Sequence, residues 1–159
     1  MEPKIINLEA MTVVGIEYIG NNEHREISEL WHRFINRAQE IQHQTHTDIA
    51  LGVFGEMSED GAFSYLAGYQ VEQIEEIPPG MTDKHLPAAQ YAVFTHHGPL
   101  FDTAYDLNAT YQYIFNDWLP HSGYQRAKSS AFERYDERFA LGQEHSEMDI
   151  YIPLLSDRR

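Results

Sequence analysis

One carboxylate in this sequence stands among aromatic residues. Glu133 belongs to the run Ala131–Asp136 (AFERYD), which has the composition of a short strand. Side chains alternate across a strand, so Glu133 and Tyr135 are expected on one face and Phe132 and Arg134 on the other. Burying a carboxylate beside aromatic rings is unfavourable unless a partner residue, a water molecule or a cationic ligand compensates its charge. The choice among these three largely decides the function.

The residues leave two interpretations of Glu133 open. In the first, Glu133 is a surface carboxylate paired with Arg134, Arg138 or Lys128, because charged residues are seldom buried. In the second, Glu133 faces a groove, where burial raises its pKa and a bound organic cation restores its charge. Contacts between that cation and aromatic faces would each add about 0.5 to 2 kcal/mol.

The aromatic content suits such a groove. The chain has 10 Tyr, 8 Phe and 2 Trp, and Tyr and Trp combine an apolar body with a polar group. The residues that we predict to bind the ligand with Glu133 are Trp31, Tyr65, Tyr113, Trp118, Tyr135 and Tyr151, and Tyr91 and Tyr111 are further candidates. Packing in the core is the alternative for each of them. Trp118 and Tyr151 rank highest, since Trp118 ends a predicted helix and Tyr151 lies on the strand expected to pair with the Glu133 strand.

The net charge and the composition limit the classes of partner that we expect this chain to bind. The formal net charge is -14, with 25 Asp and Glu against 11 Lys and Arg. This negative charge repels phosphate groups, so we expect no direct nucleic-acid binding. It attracts cations and favours a basic protein partner. The absence of cysteine excludes disulfides and thiolate catalysis. No signal peptide and no run of about 20 apolar residues is present, so we expect a cytoplasmic protein without a membrane partner.

The nine histidines do not predict a metal site. His96 and His97 are adjacent on a predicted strand and point to opposite faces, so they cannot readily chelate one ion together. His43 and His46 fall at a predicted solvated helix end. No phosphate-binding loop, nucleophile elbow or metalloprotease motif occurs. We therefore expect no metal and no cofactor.

The elements that must position Glu133 follow the order strand, helix, strand, strand, twice. Apolar residues recur at helical spacing from Ile27 and again from Tyr105. The predicted elements are strand 11–18, a helix from about 27 to 44, strands 49–54 and 63–73, strand 88–96, a helix 105–118 ended by Pro120, and strands 129–136 and 148–154. This order predicts an α+β fold in which two pseudo-symmetric βαββ repeats with curved antiparallel sheets surround a central ligand groove.

The two repeats are separated at Pro78-Pro79-Gly80. We predict a single domain over residues 1–155, with repeat one at 1–77, a linker at 78–86, repeat two at 87–155, and a tail at 156–159. When the repeats are aligned, Gly52 takes the place of Glu133. The fold itself therefore does not require an acid there, which favours a site residue.

Short motifs along nearly the whole chain resemble the GyrI-like effector-binding domain superfamily, which includes the ligand domains of AraC-type and multidrug-sensing regulators. Their order and spacing carry the resemblance. The motifs are ELWHRF (29–34), FSYLAG (63–68), LPAAQYAVF (86–94), HGP (97–99), YQYI (111–114), WLP (118–120), SGY (122–124), FERY (132–135) and DIYIP (149–153).

The resemblance implies a standalone effector-binding domain for hydrophobic, cationic small molecules in transcriptional or drug-response regulation, with Glu133 as the acid of an aromatic groove. The predicted first strand starts within about a dozen residues of Met1, so no helix-turn-helix is expected before it, unlike in the regulators. Two alternatives follow from the same resemblance. One is a hydrolase of cyclopropane-bearing genotoxic natural products that uses Glu133 and Tyr135. The other is a gyrase-inhibitor-like regulator that binds a protein.

Overall fold

The computed structural model describes residues 2–100, 107–140 and 142–155. Within these residues the strands are β1 (Lys4–Leu8), β2 (Met11–Gly20), β3 (Ala50–Met57), β4 (Phe63–Val71), β5 (Thr82–Leu86), β6 (Ala89–His97), β7 (Phe132–Tyr135) and β8 (Glu147–Leu154). The helices are α1 (Glu26–Arg37), followed by a 3-10 turn (Ala38–Glu40), and a second helical segment made of α2 (Asn108–Gln112), a π-helical turn (Tyr113–Trp118) and α3 (Leu119–Ser122). The predicted α+β class is confirmed.

The strands form one antiparallel sheet in the order β1-β6-β8-β7-β3-β4-β2-β5. The two repeats meet where β3 pairs with β7, and Gly52 lies opposite Glu133 in this register. We call this β3–β7 pair the seam. It joins the predicted half-sheets edge to edge, so that a single curved sheet runs through both repeats.

Two short strands tie the repeats together in addition to the seam. β5 lies inside the predicted linker 78–86, yet it pairs with β2 of repeat one. β1 lies before β2 and pairs with β6 of repeat two. Each short strand therefore precedes the long strand of one repeat and pairs with the long strand of the other. These are the two edge strands of the sheet, where polar residues are common and the alternation that marks a strand is weak.

Helix α1 covers one half of the sheet. Its buried residues Ile27, Leu30 and Phe34 recur at helical spacing and pack in a cluster with residues of β2 and β4. The helix ends at Arg37, earlier than the predicted Gln44. Gln44 instead forms an isolated bridge with Val71, and its side-chain amide donates to the carbonyl oxygens of residues 38 and 41.

The second helical segment covers the other half. The predicted start at Tyr105 lies outside the described residues, and the segment continues past Pro120 to Ser122 and ends at Gly123, whose φ is 80°. A proline in a helix removes one backbone donor. Here the wider π-helical turn ends at Trp118, two residues before Pro120, and such turns often lie at functional sites.

The two faces of the sheet carry separate cores. One face packs against the helices, and Glu133 and Tyr135 of β7 lie on this face. The other face carries a cluster that includes Phe132, Tyr91 and Tyr151. The predicted alternation along β7 therefore agrees with the structure, because Glu133 lies beneath the helices and Phe132 does not. No helix in the described part of the chain is long and apolar enough to span a membrane.

Candidate functional site

Glu133 is a buried carboxylate held by three tyrosines. Its side chain lies on the helix-covered face of β7 and the residue is only 2% exposed. The hydroxyls of Tyr65 and Tyr135 donate to Oε1 at 2.7 and 2.8 Å, and the hydroxyl of Tyr111 donates to Oε2 at 2.6 Å. We call these three residues the tyrosine cage.

Different elements of both repeats build the cage. Tyr65 comes from β4 of repeat one, Tyr111 from α2 and Tyr135 from β7. Trp31 of α1 supports it, because its indole Nε1 donates to the Tyr65 hydroxyl at 3.2 Å and its ring packs edge-on against Tyr135 at 5.5 Å. The site therefore requires the packing of both helical segments across the seam.

The cage supplies hydrogen bonds to Glu133 but no positive charge. Among the described residues, Arg134 and Arg138 bind Asp136 instead, and no Lys, Arg or His forms an ion pair with Glu133. Burial raises the pKa of Glu133, and the hydrogen bonds from Tyr111, Tyr65 and Tyr135 only partly oppose this. Burial and the nearby carboxylate raise the pKa of Tyr65 and of Tyr111 well above the ordinary range, so both hydroxyls remain donors.

The residue opposite Glu133 must be small. A Cβ built on Gly52 would lie 2.0 Å from the Tyr65 hydroxyl oxygen and 3.1 Å from Glu133 Oε1. The space above Gly52 is therefore filled by the Tyr65 hydroxyl. This packing explains why the repeats differ here, with an acid in the second and glycine in the first.

We expect Gly52→Ala to lower the free energy of unfolding by about 1–3 kcal/mol, because the new methyl group overlaps the Tyr65 phenol. Urea denaturation measures this change. In a Tyr65→Phe background the same substitution should be less harmful, since the nearest colliding atom is gone and only the ring carbon Cζ, at 2.6 Å, remains too close. Equal losses in both backgrounds would contradict this account.

Two clefts flank the Gly52–Glu133 pair along the seam. The larger cleft has a volume of about 1000 Å³ and lies toward Phe54 and Ala131. The smaller cleft has a volume of about 390 Å³ and lies toward Ala50 and Tyr135. Ala50 pairs with Tyr135 in the seam, and the Phe54 amide donates to the Ala131 carbonyl at 3.0 Å. The cage therefore lies between the two clefts.

Aromatic rings line both clefts. In the larger cleft, Tyr111 contacts Phe54 edge-on at 5.8 Å and stacks against Phe115 at 6.3 Å. The smaller cleft has Trp31 and Tyr135 in its wall. Tyr111 is the cage member that lines the larger cleft, and Tyr135 the one that lines the smaller cleft.

The structure brings together some of the predicted site residues and separates others. Trp31, Tyr65 and Tyr135 lie with Glu133. Trp118 packs between Phe94 and Tyr124, at 5.1 and 6.0 Å. Tyr113 packs against the core cluster of repeat two. Neither lies on the wall of the two clefts.

Tyr151 lies on the opposite face of the sheet from Glu133. It stacks on Phe132 at 4.4 Å, because β7 and β8 pair with Phe132 opposite Tyr151 and Glu133 opposite Ile150. The predicted pairing of the two strands is therefore observed. The register, which the sequence does not specify, places Tyr151 on the other side.

None of the described residues that line the larger cleft belongs to the set predicted to bind the ligand, and its wall includes Phe54, Tyr111, Phe115 and Arg126. Tyr111 was a further candidate, and its spacing of four residues from Phe115 places both on one side of a helix. That pattern is the sequence signal for this wall. In the described part of the chain, no group of three His, Asp or Glu residues is arranged to hold a metal ion.

Comparison with known proteins agrees with this architecture. Residues 1–155 match the family described as the GyrI-like small molecule binding domain. The transcriptional regulator BrlR of Pseudomonas aeruginosa is 35% identical over 155 residues, which cover 97% of this chain and 56% of BrlR. The chain thus spans about half the length of this curated relative.

Solved structures share the fold at low identity. SAV2435, in a structure bound to tetraphenylphosphonium, superposes with a TM-score of 0.75 at 20% identity and covers 98% of this chain and 95% of that one. EcmrR, in a complex with DNA, superposes with a TM-score of 0.69 at 16% identity and covers 96% of this chain and 57% of that one. The family match over nearly the whole chain confirms the resemblance found in its motifs, and the chain belongs to the GyrI-like small-molecule-binding domain family.

Proposed function

We propose that this domain is an effector-binding domain in transcriptional or drug-response regulation, and that it binds hydrophobic, cationic small molecules at the seam with Glu133 as the counter-charge. The Glu133 carboxylate carries the proposal. It is 2% exposed and is surrounded by phenol hydroxyls, with no ion pair among the described residues. A positive charge brought close to it would favour the ionised form, which burial disfavours.

The larger cleft offers the approach to this carboxylate. Glu133 Oε1 accepts hydrogen bonds from two tyrosines, whereas Oε2 accepts one, from Tyr111. Tyr111 also lines the larger cleft, with Phe54 and Phe115 beside it. A cation in this cleft would contact aromatic faces and lie near Oε2. The cleft volume of about 1000 Å³ is large enough for a drug-sized molecule.

A relative with the same fold supports the class of ligand. The structure of SAV2435 holds tetraphenylphosphonium, a lipophilic cation. For the present chain, this makes tetraphenylphosphonium a suitable first probe. It has a permanent charge and no hydrogen-bond donor, so its affinity reports on charge and aromatic contacts alone.

We expect tetraphenylphosphonium to bind the wild-type domain, and Glu133→Gln to weaken binding by about 10- to 100-fold. At an effective dielectric near 20, an ion pair at about 4 Å contributes about 4 kcal/mol, and desolvation offsets part of it. A loss of about 1.4–2.7 kcal/mol corresponds to this range. Isothermal titration calorimetry measures both affinities. Equal affinities for wild type and Glu133→Gln would refute the role of Glu133.

Two further variants locate the ligand. Phe54→Leu removes a ring from the wall of the larger cleft and should weaken binding. Ile35→Ala is the matched control, because Ile35 lines the smaller cleft and is 66% exposed. A loss of affinity in Ile35→Ala with none in Phe54→Leu would place the ligand in the smaller cleft instead.

The hydrolase alternative has less support from this geometry. A general base must reach the water that it activates, but both oxygens of Glu133 already accept hydrogen bonds from tyrosines. Incubation with cyclopropane-bearing alkylating compounds tests the alternative directly. Turnover that disappears in Glu133→Gln would favour it over binding alone.

A further inference from the structure

The rim of the larger cleft is positively charged, in a chain that is strongly acidic overall. Lys84, Arg126 and Lys128 all line this cleft. They are three of the 11 Lys and Arg residues in a chain with a formal net charge of -14. We call these three residues the cationic rim. A cationic ligand would gain from Glu133 and the aromatic rings but nothing from these three cations, so the rim needs an explanation of its own.

Arg126 is held in place beside the aromatic wall. Its guanidinium carbon lies 4.8 Å from the centre of the Phe115 ring, and Phe115 in turn stacks on Tyr111. The backbone around it is fixed to the end of β8, because the Ala127 amide donates to the Pro153 carbonyl at 2.9 Å and the Leu155 amide donates to the Gln125 carbonyl at 2.9 Å. Arg126 is therefore part of the wall of the site.

The charge of Arg126 reaches the cage. It acts to lower the pKa of Tyr111, against the larger effects of burial and of Glu133. Tyr111 donates to Glu133 Oε2. One phenol therefore lies under the influence of a buried negative charge on one side and an exposed positive charge on the other.

The cationic rim is not neutralised by ion pairs in the described part of the chain. The acidic residues that line the larger cleft are Glu17 and Glu56, and neither forms an ion pair with the rim there. The Lys84 ammonium instead lies over β3, two strands beyond the partner of β5, since a Cβ built on Gly55 would lie 3.1 Å from its Nζ. The rim thus presents cationic donors to whatever occupies the cleft.

We infer that the larger cleft selects aromatic zwitterions, in which a positively charged ring system lies against Tyr111 near Glu133 and an acidic group binds Arg126 and Lys128. This inference rests on the proposed function and specifies its class of ligand. The planar guanidinium fork matches the two oxygens of a carboxylate. The acidic group forms charge-assisted hydrogen bonds with the rim, while the ring system retains its contacts with Phe54 and Phe115.

Two forms of one dye test the inference. Rhodamine B has a positively charged ring system and a free carboxylate, and its ethyl ester has the same ring system without the negative charge. We expect wild type to bind the acid about tenfold more tightly than the ester, as for one partly exposed charge-assisted hydrogen bond. Arg126→Gln should remove this preference, so that the acid and the ester bind this variant with similar affinities. Fluorescence anisotropy gives all four dissociation constants.

The control is Arg33→Gln, which changes the net charge equally at an exposed position of α1 and should keep the preference for the acid. Lys128→Gln is a second rim variant if Arg126→Gln does not fold. A wild type that binds the ester at least as tightly as the acid, or a preference that survives the rim substitution, would overturn the inference. In that case the proposed function stands, provided that Glu133→Gln still weakens the ester. If neither dye nor tetraphenylphosphonium binds, both proposals fail.

Discussion

Replacing Arg138 with methionine is expected to lower the free energy of unfolding by about 2–4 kcal/mol, the largest effect on stability that the structure suggests. Removing one partner of a buried ion pair typically costs about 3–5 kcal/mol. The Arg138 side chain is 32% exposed, so solvent screening reduces that range. Methionine keeps much of the length of the arginine stem and removes only its charge and hydrogen bonds.

Arg138 satisfies two nearly buried aspartates at once. Asp136 and Asp149 are each 8% exposed. The guanidinium donates from Nε and Nη2 to the two carboxylate oxygens of Asp136, at 2.9 and 3.0 Å, and from Nη2 to Asp149 Oδ2 at 2.7 Å. Without it, Asp136 keeps Arg134, and Asp149 keeps a hydrogen bond from Thr95. Asp149 would then have no ion pair among the described residues, and Asp136 only the one with Arg134.

Urea denaturation at neutral pH measures the effect. Burial opposes the ionisation of Asp136, but hydrogen bonds from the Arg138 side chain and backbone outweigh it and lower the pKa of Asp136. The stability that this group contributes is present above its ordinary pKa and is lost as the pH falls through the lowered one. The difference between wild type and Arg138→Met should therefore shrink in acid.

Arg37→Gln is the control, because Arg37 is as exposed as Arg138 but its partner Glu40 is 41% exposed, so breaking this pair should have a much smaller effect. If Arg138→Met unfolds at the same urea concentration as wild type, this network contributes little to folding.

The sequence predicts the order of the long helices and strands better than it predicts the short edge strands or the residues at which helices end. The strand, helix, strand, strand order is found in both repeats because hydrophobic periodicity marks long, half-buried elements. β1 and β5 lack that signal, since they are short and lie at the edges of the sheet. Helix α1 ends before Gln44 because the side chain of Gln44 satisfies the carbonyl oxygens of Ala38 and Ile41 instead. Such contacts depend on packing.

The site was predictable as far as one strand determines it. Alternation within β7 places Glu133 and Tyr135 together, and the carboxylate accepts a hydrogen bond from that tyrosine. The other two donors, Tyr65 and Tyr111, lie 68 and 22 residues away in the chain. Only the register across the seam and the placement of α2 bring them to the same carboxylate. Tyr151 shows the opposite case. Ile150 lies opposite Glu133 in the register of β7 and β8, so the Tyr151 side chain lies on the other face of the sheet from Glu133.

The buried charge of Glu133 is expected to destabilise the unliganded domain at neutral pH, so Glu133→Gln should be more stable than wild type there. Burial raises the pKa of Glu133, and the tyrosine hydrogen bonds lower it only in part. The folded state therefore holds a proton more tightly than the unfolded state. As the pH rises from the ordinary pKa of a glutamate to the raised one, the folded state loses stability, and it remains lower above that window.

The difference in stability between wild type and Glu133→Gln follows from the shift in the pKa of Glu133, at about 1.4 kcal/mol for each pKa unit. Below both pKa values the carboxyl group is neutral and similar in shape to an amide, so the two proteins should then have nearly equal stability. Urea denaturation of both proteins across the acid to neutral range measures the difference. Glu29→Gln, at an exposed position of α1, is the control for the loss of one negative charge. A constant difference between wild type and Glu133→Gln across this range would contradict the prediction.

This deficit in stability and the affinity for a cation have the same cause. A cation bound near Oε2 stabilises the ionised carboxylate, and it thereby restores free energy that burial of the charge removes. Tetraphenylphosphonium at saturation should therefore stabilise wild type more than Glu133→Gln. It should also reduce the loss of stability with rising pH that the unliganded wild type shows. A ligand that stabilised both proteins equally at every pH would bind through its aromatic rings alone, and Glu133 would then have no part in recognition.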